Sequence, residues 1–342
     1  MKKLSLLLVS VLFNANLYTV RADDQASDPY LTRKFSASTI KSVEVTTSGG
    51  SITVNGDAGS EAVVEVYASR GNWSAEKIKK ELEENYTIDI KVEGGKLYAV
   101  AKQKSSFNWN QQGVSVSFKI SVPKQVNSKL QTSGGSITIG NLSGSQDLQT
   151  SGGSLTVENV SGNIVGKTSG GSITVSNSKD NINLATSGGS VTAKDCSGNI
   201  NLKTSGGSIR MTNLDGNIDA ATSGGSVTAN GVKGTLKTGT SGGSVNLNGI
   251  SGNVDASTSG GGMTVEMLSV SEYVKLSNSG DLNLTLPANK GYNLKVKANS
   301  ISTTDLKDFR GNMDSRNIDG TVGSGGPAIE VKTSLRASLT FK

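Results

Sequence analysis

Apolar and polar residues alternate over short stretches in the middle of the chain, and this alternation recurs with a fixed period of 18 residues. Within residues 168–185, two stretches alternate, 172–175 and 181–184. Alternation with a period of two predicts strands that direct one face inward. The predicted inward residues of this unit are Ile173, Val175, Ile182 and Leu184.

Each repeat opens with a Thr-Ser-Gly-Gly tetrad. The eight copies begin at Thr132, Thr150, Thr168, Thr186, Thr204, Thr222, Thr240 and Thr258. A fixed period this short indicates one structural coil per repeat, stacked on near-identical neighbours. The sequence therefore predicts an all-β fold, a parallel β-solenoid (β-helix) with 18-residue coils, right-handed by analogy with parallel crossovers. The two halves of each unit predict two facing sheets, and a three-sided coil is the alternative.

Glycine and asparagine mark the bends of each predicted coil. Gly134-Gly135 and their copies are expected to give backbone freedom at one bend, and Gly144 and its copies at the other. Asparagines recur at two levels of the predicted coils and predict either hydrogen-bonded stacks or simple turn formers. One level holds Asn141, Asn159, Asn177 and Asn213, with Asp195 substituting, and the other holds Asn163, Asn181, Asn199, Asn217 and Asn253. The tenth position is expected to point inward, and it holds apolar residues such as Leu268 and the only cysteine, Cys196.

The regular array is flanked by segments with other patterns. The tetrad also occurs at Thr47, but Thr132 follows 85 residues later, which is not a multiple of 18, so an insertion lies between them. This small α+β insertion predicts strands at 61–68, 87–92, 96–101 and 114–122 and a helix at 74–85, covering the N-terminal edge of the stack. We expect four segments, namely a signal peptide at 1–22, an N-terminal coil with its insertion at 23–130, the regular solenoid at 131–286, and irregular C-terminal coils with a cap at 287–342.

The first 22 residues have the pattern of an export signal. Lys2 and Lys3 precede an apolar run of ten residues, and Val20-Arg21-Ala22 offers a cleavage site. The run is too short for a stable membrane span, so we expect no transmembrane anchor after signal cleavage, and an uncleaved anchor is the alternative. The expected location is the periplasm, the outer surface or the extracellular space.

Composition narrows the expected chemistry and partners. Signal removal lowers the formal net charge from +6 to +3, and the remaining lysines are spread out, so no nucleic-acid partner is expected. The chain has no histidine, which removes the commonest general base and most zinc sites. No pattern marks a catalytic residue, a cofactor or a metal, and we expect no enzymatic activity. Acid catalysis by coil aspartates, in a carbohydrate-active β-helix enzyme, is the alternative.

One outward pattern is a candidate binding surface. The fourth and sixth positions after each tetrad threonine form pairs of hydroxyl groups that point away from the core. The candidate contacts are Ser136, Thr138, Ser154, Thr156, Ser172, Thr174, Ser190 and Thr192, with Trp109 in a polar loop of the insertion. Such an array suits a crystalline polysaccharide or ice, and Arg210, Asn246 and Gly262 interrupt it. Local packing of a hairpin tip is the alternative for Trp109.

These features together resemble the adhesin-like β-strand-repeat family of bacterial envelope proteins, whose domain has no assigned function. The resemblance is carried by the Thr47–Gly56 coil, the strand that ends at Val122-Pro123, the repeated Thr-Ser-Gly-Gly-Ser-Ile-Thr-Val and the late Gly325-Gly326-Pro327. It extends from about Phe35 to the end of the sequence and implies a fold without catalytic residues.

We therefore hypothesise an exported, non-enzymatic, adhesin-like or scaffold solenoid at the cell envelope. Its expected partner is a cell-surface protein or a polysaccharide, bound through the repetitive surface. The alternatives are the carbohydrate-active enzyme, an envelope-stress or signalling partner, which the resemblance implies, and an ice-binding protein.

Overall fold

The computed structural model describes residues 28–104, 113–288 and 290–342. In this part of the chain 26 strands form one continuous hydrogen-bonded sheet, accompanied by one α-helix and one 3-10 helix. Most neighbouring strands are parallel, and the antiparallel pairs lie near the two ends. The prediction of an all-β, mostly parallel architecture is confirmed, and the arrangement is consistent with a solenoid.

The N-terminal part contains seven strands and both helices. Its elements are β1 (Leu31–Ser36), a 3-10 helix (Ala37–Thr39), β2 (Ser42–Thr46), β3 (Ile52–Asn55), β4 (Glu61–Ser69), α1 (Ala75–Asn85), β5 (Tyr86–Glu93), β6 (Lys96–Gln103) and β7 (Ser115–Ser121). Helix α1 begins after Ser74, whose side chain accepts a hydrogen bond from the Lys77 amide at 3.4 Å. This contact satisfies one of the free amides of the first turn.

The middle part consists of strands that repeat along the chain. They are β8 (Asn127–Gln131), β9 (Ile137–Gly140), β10 (Ser143–Gln149), β11 (Leu155–Glu158), β12 (Ser161–Lys167), β13 (Ile173–Ser176), β14 (Lys179–Ala185), β15 (Val191–Lys203), β16 (Ile209–Ala221), β17 (Val227–Thr240), β18 (Val245–Thr258) and β19 (Met263–Asn278). From β8 to β18, paired residues are 18 positions apart, so Ile173 lies opposite both Leu155 and Val191. Equivalent residues of successive repeats are therefore stacked over one another.

The core is a narrow column of stacked aliphatic side chains. In the coil that begins at Thr168, the predicted inward residues Ile173, Val175, Ile182 and Leu184 are all buried. Cys196 fills the tenth position of the next coil and is buried as well. Burial raises the pKa of its thiol, so this side chain behaves as a small apolar group.

The threonine that opens each tetrad is also buried, which the alternating pattern does not predict. The Thr150 hydroxyl donates to the Gly135 carbonyl of the preceding coil at 2.8 Å and accepts from the Gly153 amide at 3.2 Å. The same pair of contacts recurs in the following coils, at Thr168, Thr186, Thr204, Thr222, Thr240 and Thr258. Each hydroxyl thus satisfies backbone groups at the bend and ties two coils together.

The tetrad glycines allow adjacent coils to approach closely, which differs from the expected role in backbone freedom. Neither Gly152 nor Gly153 has a positive φ, so these positions do not use the backbone freedom that was expected of them. A Cβ atom on Gly153 would overlap the carbonyl oxygen of Gly135, because adjacent coils approach closely there. At the other bend the prediction is confirmed, since Gly162 has a φ of 109°.

The early tetrad coil lies directly on the regular array, although 85 residues separate the two in sequence. β2 pairs with β8, and β3 pairs with β9. The insertion continues the stack beyond this coil, because β6 and β7 extend the ladders of β2 and β3 in parallel. β4, β1 and β5 then follow as antiparallel strands at the N-terminal end.

The C-terminal part does not stack in sequence order. Its strands are β20 (Leu282–Leu286), β21 (Tyr292–Lys297), β22 (Ser300–Thr303), β23 (Phe309–Met313), β24 (Asn317–Val322), β25 (Ala328–Thr333) and β26 (Arg336–Phe341). β25 lies between β19 and β21, and β26 lies between β20 and β22. The last two strands are therefore inserted between strands that precede them in the chain, while β24 and β23 pair antiparallel at the end.

Leu268 does not occupy the inward tenth position that its spacing predicts. Its side chain is 63% exposed, and Met267 lies opposite Ile250 instead. The reason is an irregularity between β18 and β19, where the pairing register shifts. The eighth repeat contains extra residues, and Asn278 lies opposite Thr258, at the position where the next tetrad threonine would be expected. The prediction for Leu268 is wrong because a fixed spacing assumes an unbroken register.

Candidate binding surface

The predicted hydroxyl pairs lie in register on one face of the stack. Thr138 is opposite Thr156, and Thr174 is opposite both Thr156 and Thr192. Thr53 of the early coil extends this row, because it lies opposite Thr138. We call Thr53, Thr138, Thr156, Thr174 and Thr192 the threonine ladder. Neighbouring members are one strand spacing apart, about 4.8 Å.

The predicted serines are brought together beside this ladder, but their hydroxyls also support the fold. The Ser154 amide donates to Ser136 Oγ at 3.1 Å, and the Ser172 amide donates to Ser154 Oγ at 3.3 Å. The Ser190 amide continues the series with Ser172 Oγ at 3.2 Å. Each serine oxygen thus accepts a backbone hydrogen bond from the next coil. In the described residues the threonine ladder makes no such contacts, so its hydroxyls are the better candidates for an external ligand.

The ladder ends differently on its two sides. Toward the C-terminal end, Arg210 lies opposite Thr192 and interrupts the hydroxyl row, as its sequence position predicts. Toward the N-terminal end, Lys119 of β7 lies opposite Thr53, and Glu65 of β4 lies opposite Lys119. The Lys119 Nζ and Glu65 Oε2 atoms are 3.6 Å apart. A charged pair therefore closes the row where the insertion begins.

A depression opens beside this charged pair. It has a volume of about 540 Å³, and residues of β3, β4, β7 and β9 line it. Gly140 belongs to the lining and lies between Asn55 and Glu158 in the pairing, and Asn55 Oδ1 is 3.2 Å from the position that a Cβ atom on Gly140 would take. Thr53 and Thr138 of the threonine ladder belong to its lining. We call this feature the N-terminal depression.

Carboxylates dominate the charge of the N-terminal depression. Asp57 is held by two contacts, since it accepts from Asn55 Nδ2 at 2.6 Å and from the Ser121 hydroxyl. Glu65 is paired with Lys119, whereas Glu158 is exposed and has no ion pair with another described residue. One neutral pair and two further carboxylates give this depression a net negative charge.

Asparagines form a second regular feature along one bend. Asn141 and Asn159 have φ values of 56° and 54°, and Asn159 Nδ2 donates to Asn141 Oδ1 at 2.6 Å. A second row of asparagines lies on strands β14 and β15, where Asn199 Nδ2 donates to Asn181 Oδ1 at 3.1 Å. Both of the roles considered for these residues, turn former and stacked ladder, are therefore present.

A polar groove follows the tetrad corner. Its volume is about 710 Å³, and its lining includes Gln149, Lys167 and the exposed tetrad serines Ser151, Ser169 and Ser187. It contains no carboxylate and no apolar anchor apart from Ala185 among its lining residues. The groove extends along several repeats, but its lining has fewer kinds of functional group than the lining of the N-terminal depression.

Two further features are predicted from the sequence. Trp109 and the predicted signal peptide at 1–22 lie outside the described residues. Among the described residues, no group of three His, Cys, Asp or Glu side chains is placed to hold a metal ion. No described helix has the length and apolar character needed to cross a membrane.

Sequence reasoning missed several residues of this region. Asp57, Lys119 and Glu65 were not candidates, because their proximity depends on the insertion returning to the stack. Thr53 could have been found, since it shares the phrase Ser-Ile-Thr-Val with Thr138.

The profile of the family described as Toastrack DUF4097 matches residues 165–335, half of the chain. No curated protein matches this chain. A proposed cell adhesion protein from Clostridium sporogenes is 11% identical over 91% of this chain and 98% of its own, with a TM-score of 0.19. A proposed adhesin from Bacteroides fragilis is 13% identical over 91% and 96%, with a TM-score of 0.25. A proposed lipid binding protein from Parabacteroides distasonis is 14% identical over 93% and 98%, with a TM-score of 0.33.

Proposed function

The chain belongs to the Toastrack DUF4097 family, and on that premise we propose that it is an exported, non-enzymatic, adhesin-like or scaffold solenoid of the bacterial cell envelope. It binds an extended partner through its repetitive polar face. The proposal includes a right-handed solenoid with one 18-residue coil per repeat, cleavage of the signal peptide at residues 1–22, and the division at residues 130 and 286.

The threonine ladder is the observation that carries this proposal. Five hydroxyl groups on successive strands, from Thr53 to Thr192, repeat at about 4.8 Å and are not needed to satisfy the backbone. A periodic row of donors and acceptors suits a partner that is itself periodic. A cell-surface polysaccharide, whose hydroxyls recur along its length, is the partner class that we propose.

The distribution of carboxylates supports binding rather than catalysis. Aspartates of the fifteenth position do not stack on adjacent coils, because Lys237 lies between Asp219 and Asp255. A carboxylate whose orientation is fixed by hydrogen bonds, such as that of Asp57, accepts those bonds from neighbouring residues of the fold. The surface offers many equivalent weak contacts, and their sum gives affinity through multivalency.

A sedimentation assay with insoluble polysaccharides tests the proposal. Purified chain from residue 23 onward is mixed with cellulose, chitin or peptidoglycan, and the bound fraction is measured after centrifugation. Replacement of Thr138, Thr156, Thr174 and Thr192 by valine preserves the β-branched shape and removes the hydroxyls. We expect the wild type to sediment with at least one polymer and this variant to lose most of that binding.

The matched control carries the same substitution at four threonines away from the ladder, Thr32, Thr87, Thr235 and Thr285. It should bind as the wild type does. Equal binding by the two variants, or no binding by the wild type to any of the three polymers, contradicts the proposal. Cell fractionation with surface proteolysis tests the export part separately.

A further inference from the structure

We propose that two copies of this chain assemble by exchanging one coil, so that β25 and β26 of each copy fill the corresponding place in the other. We call residues 328–341, which carry these two strands, the C-terminal coil, and the place that it fills the slot. The inference goes beyond the proposed function, because its partner is a second copy of this chain and not a polysaccharide.

The C-terminal coil is enclosed by strands that precede it in the chain. β25 pairs with β19 on one side and with β21 on the other, and β26 pairs with β20 and β22. Both walls of the slot are therefore synthesised before the coil that fills it. Because the walls pair with the coil itself and not with its connection to β24, the coil of a second copy fits the slot as well as the copy's own coil does.

The contacts of the coil favour an occupied slot. Ile329 lies opposite both Val274 and Leu294, and all three side chains are buried, so an empty slot would expose apolar surface on both walls. At the tetrad corner, Arg336 Nη2 and Asp281 Oδ2 are 3.3 Å apart. A coil from either copy makes these contacts, so exchange keeps the interactions of the monomer and changes only the connection.

That connection is a tight hinge at residues 323–327. Val322 lies opposite Tyr292 and Ala328 lies opposite Asn293, so the hinge crosses over the start of β21. Gly323 has a φ of 57° in this closed hinge, a conformation that glycine adopts readily and other residues do not. Short closed hinges of this kind favour exchange when closure is strained. When extended, the stretch from Val322 to Ala328 spans roughly 20 Å, so an open hinge reaches the slot of a copy whose hinge faces it.

Cysteine pairs detect the exchange directly. Ser277 of β19 lies opposite Lys332 of the coil, and both are exposed, so cysteines at these two positions are close enough for a disulfide. Two variants of the chain from residue 23 onward, Ser277→Cys and Lys332→Cys, each also carry Cys196→Val. They are unfolded in urea, mixed, refolded together at high protein concentration and oxidised in a glutathione buffer. We expect a disulfide that joins the two variants, measured on a non-reducing gel.

The matched control replaces Ser277→Cys by Ser257→Cys. Ser257 is also exposed and lies opposite Ser277, one strand further from the slot. A cysteine there should give little of the joined product, because it does not lie beside the exchanged coil.

Strain in the hinge should shift the balance toward the dimer. Gly323→Ala penalises the closed hinge through its φ, and a Cβ atom there meets its closest neighbour at an ordinary 3.7 Å. The ratio of dimer to monomer, measured by light scattering at equal protein concentration, should rise roughly five- to thirtyfold for each hinge that opens. Gly94→Ala is the matched control, since Gly94 has a φ of 58° in the turn between β5 and β6, and it should leave the ratio unchanged.

Two outcomes would overturn the inference. One is an equal yield of joined product with Ser277→Cys and with Ser257→Cys. The other is a dimer fraction that does not respond to Gly323→Ala, including the absence of any dimer at the highest protein concentration. Neither outcome affects sedimentation with a polysaccharide, so failure of this inference and failure of the proposed function are distinguishable.

Discussion

Glu330 of β25 lies directly opposite Lys275 of β19 in the parallel ladder. On its other side Glu330 lies opposite Lys295 of β21, so one carboxylate separates two lysines. The row continues with alternating charge in both directions, as Asp219, Lys237, Asp255, Lys275, Glu330, Lys295 and Asp319. Without β25 in its place, Lys275 and Lys295 would have no acidic neighbour between them. The charge pattern therefore favours the out-of-sequence insertion of the last two strands.

Charge reversal at Glu330 should destabilise the C-terminal part. Glu330→Lys places three lysines on consecutive strands, and like charges directly opposite each other are unfavourable. We expect a loss of roughly 0.5–1 kcal/mol in the free energy of unfolding, measured by urea denaturation, and a smaller loss in high salt. Glu330→Gln is the control and should lose less. If the two variants are equally stable at low salt, the charge row has no role in stability.

The second tetrad glycine should be far less tolerant of a side chain than the first. A Cβ on Gly153 would overlap the Gly135 carbonyl oxygen, whereas a Cβ on Gly152 meets its closest neighbour, the Gly134 oxygen, at an ordinary 3.5 Å. Gly153→Ala should reduce stability by about 1–3 kcal/mol, the usual effect of overpacking. Gly152→Ala should be close to neutral. Thermal denaturation of both variants measures the difference, and equal melting temperatures would contradict the close stacking.

A buried and an exposed threonine of the same coil should respond differently to valine. Thr168 donates to the Gly153 carbonyl at 2.7 Å and accepts from the Gly171 amide at 3.3 Å. Thr168→Val leaves both backbone groups without this partner and should reduce stability by about 1–3 kcal/mol. Thr174→Val, on the outer face, should change stability by less than about 0.5 kcal/mol. A urea titration that ranks the two variants in the opposite order would argue against a structural hydroxyl.

The regular part of the fold follows from the sequence because each coil repeats the same local pattern. The alternation in 172–175 and 181–184 identifies the inward residues without any long-range information. The burial of Thr168 is missed, because a polar residue at a bend is expected to face solvent unless its hydrogen-bond partners are known. The glycine pair is recognised as special, but close approach of two coils is a property of the stack rather than of one segment.

The ends of the stack depend on contacts that no local pattern encodes. Nothing within Ala328–Thr333 indicates that this strand lies between β19 and β21, and the alternation around Glu330 becomes visible only once the strand order is known. The N-terminal depression likewise requires Lys119 to return beside Thr53. The threonine ladder itself was identified from spacing, apart from Thr53.

Cys196 should make the folded state sensitive to alkaline pH. Burial raises the pKa of its thiol above the ordinary value of a cysteine, so the folded state resists formation of the thiolate. A group whose pKa is raised by folding stabilises the protein below its unfolded pKa, and this contribution is lost as the pH rises toward the folded value. Cys196→Val, which places the residue found at Val160 and Val232 in the same position, removes the effect. We expect the variant to lose less stability than the wild type between pH 8 and pH 10 in urea titrations. The native thiol should also react slowly with an aromatic disulfide reagent at pH 8 and fully in denaturant, and rapid reaction of the folded chain would contradict its burial.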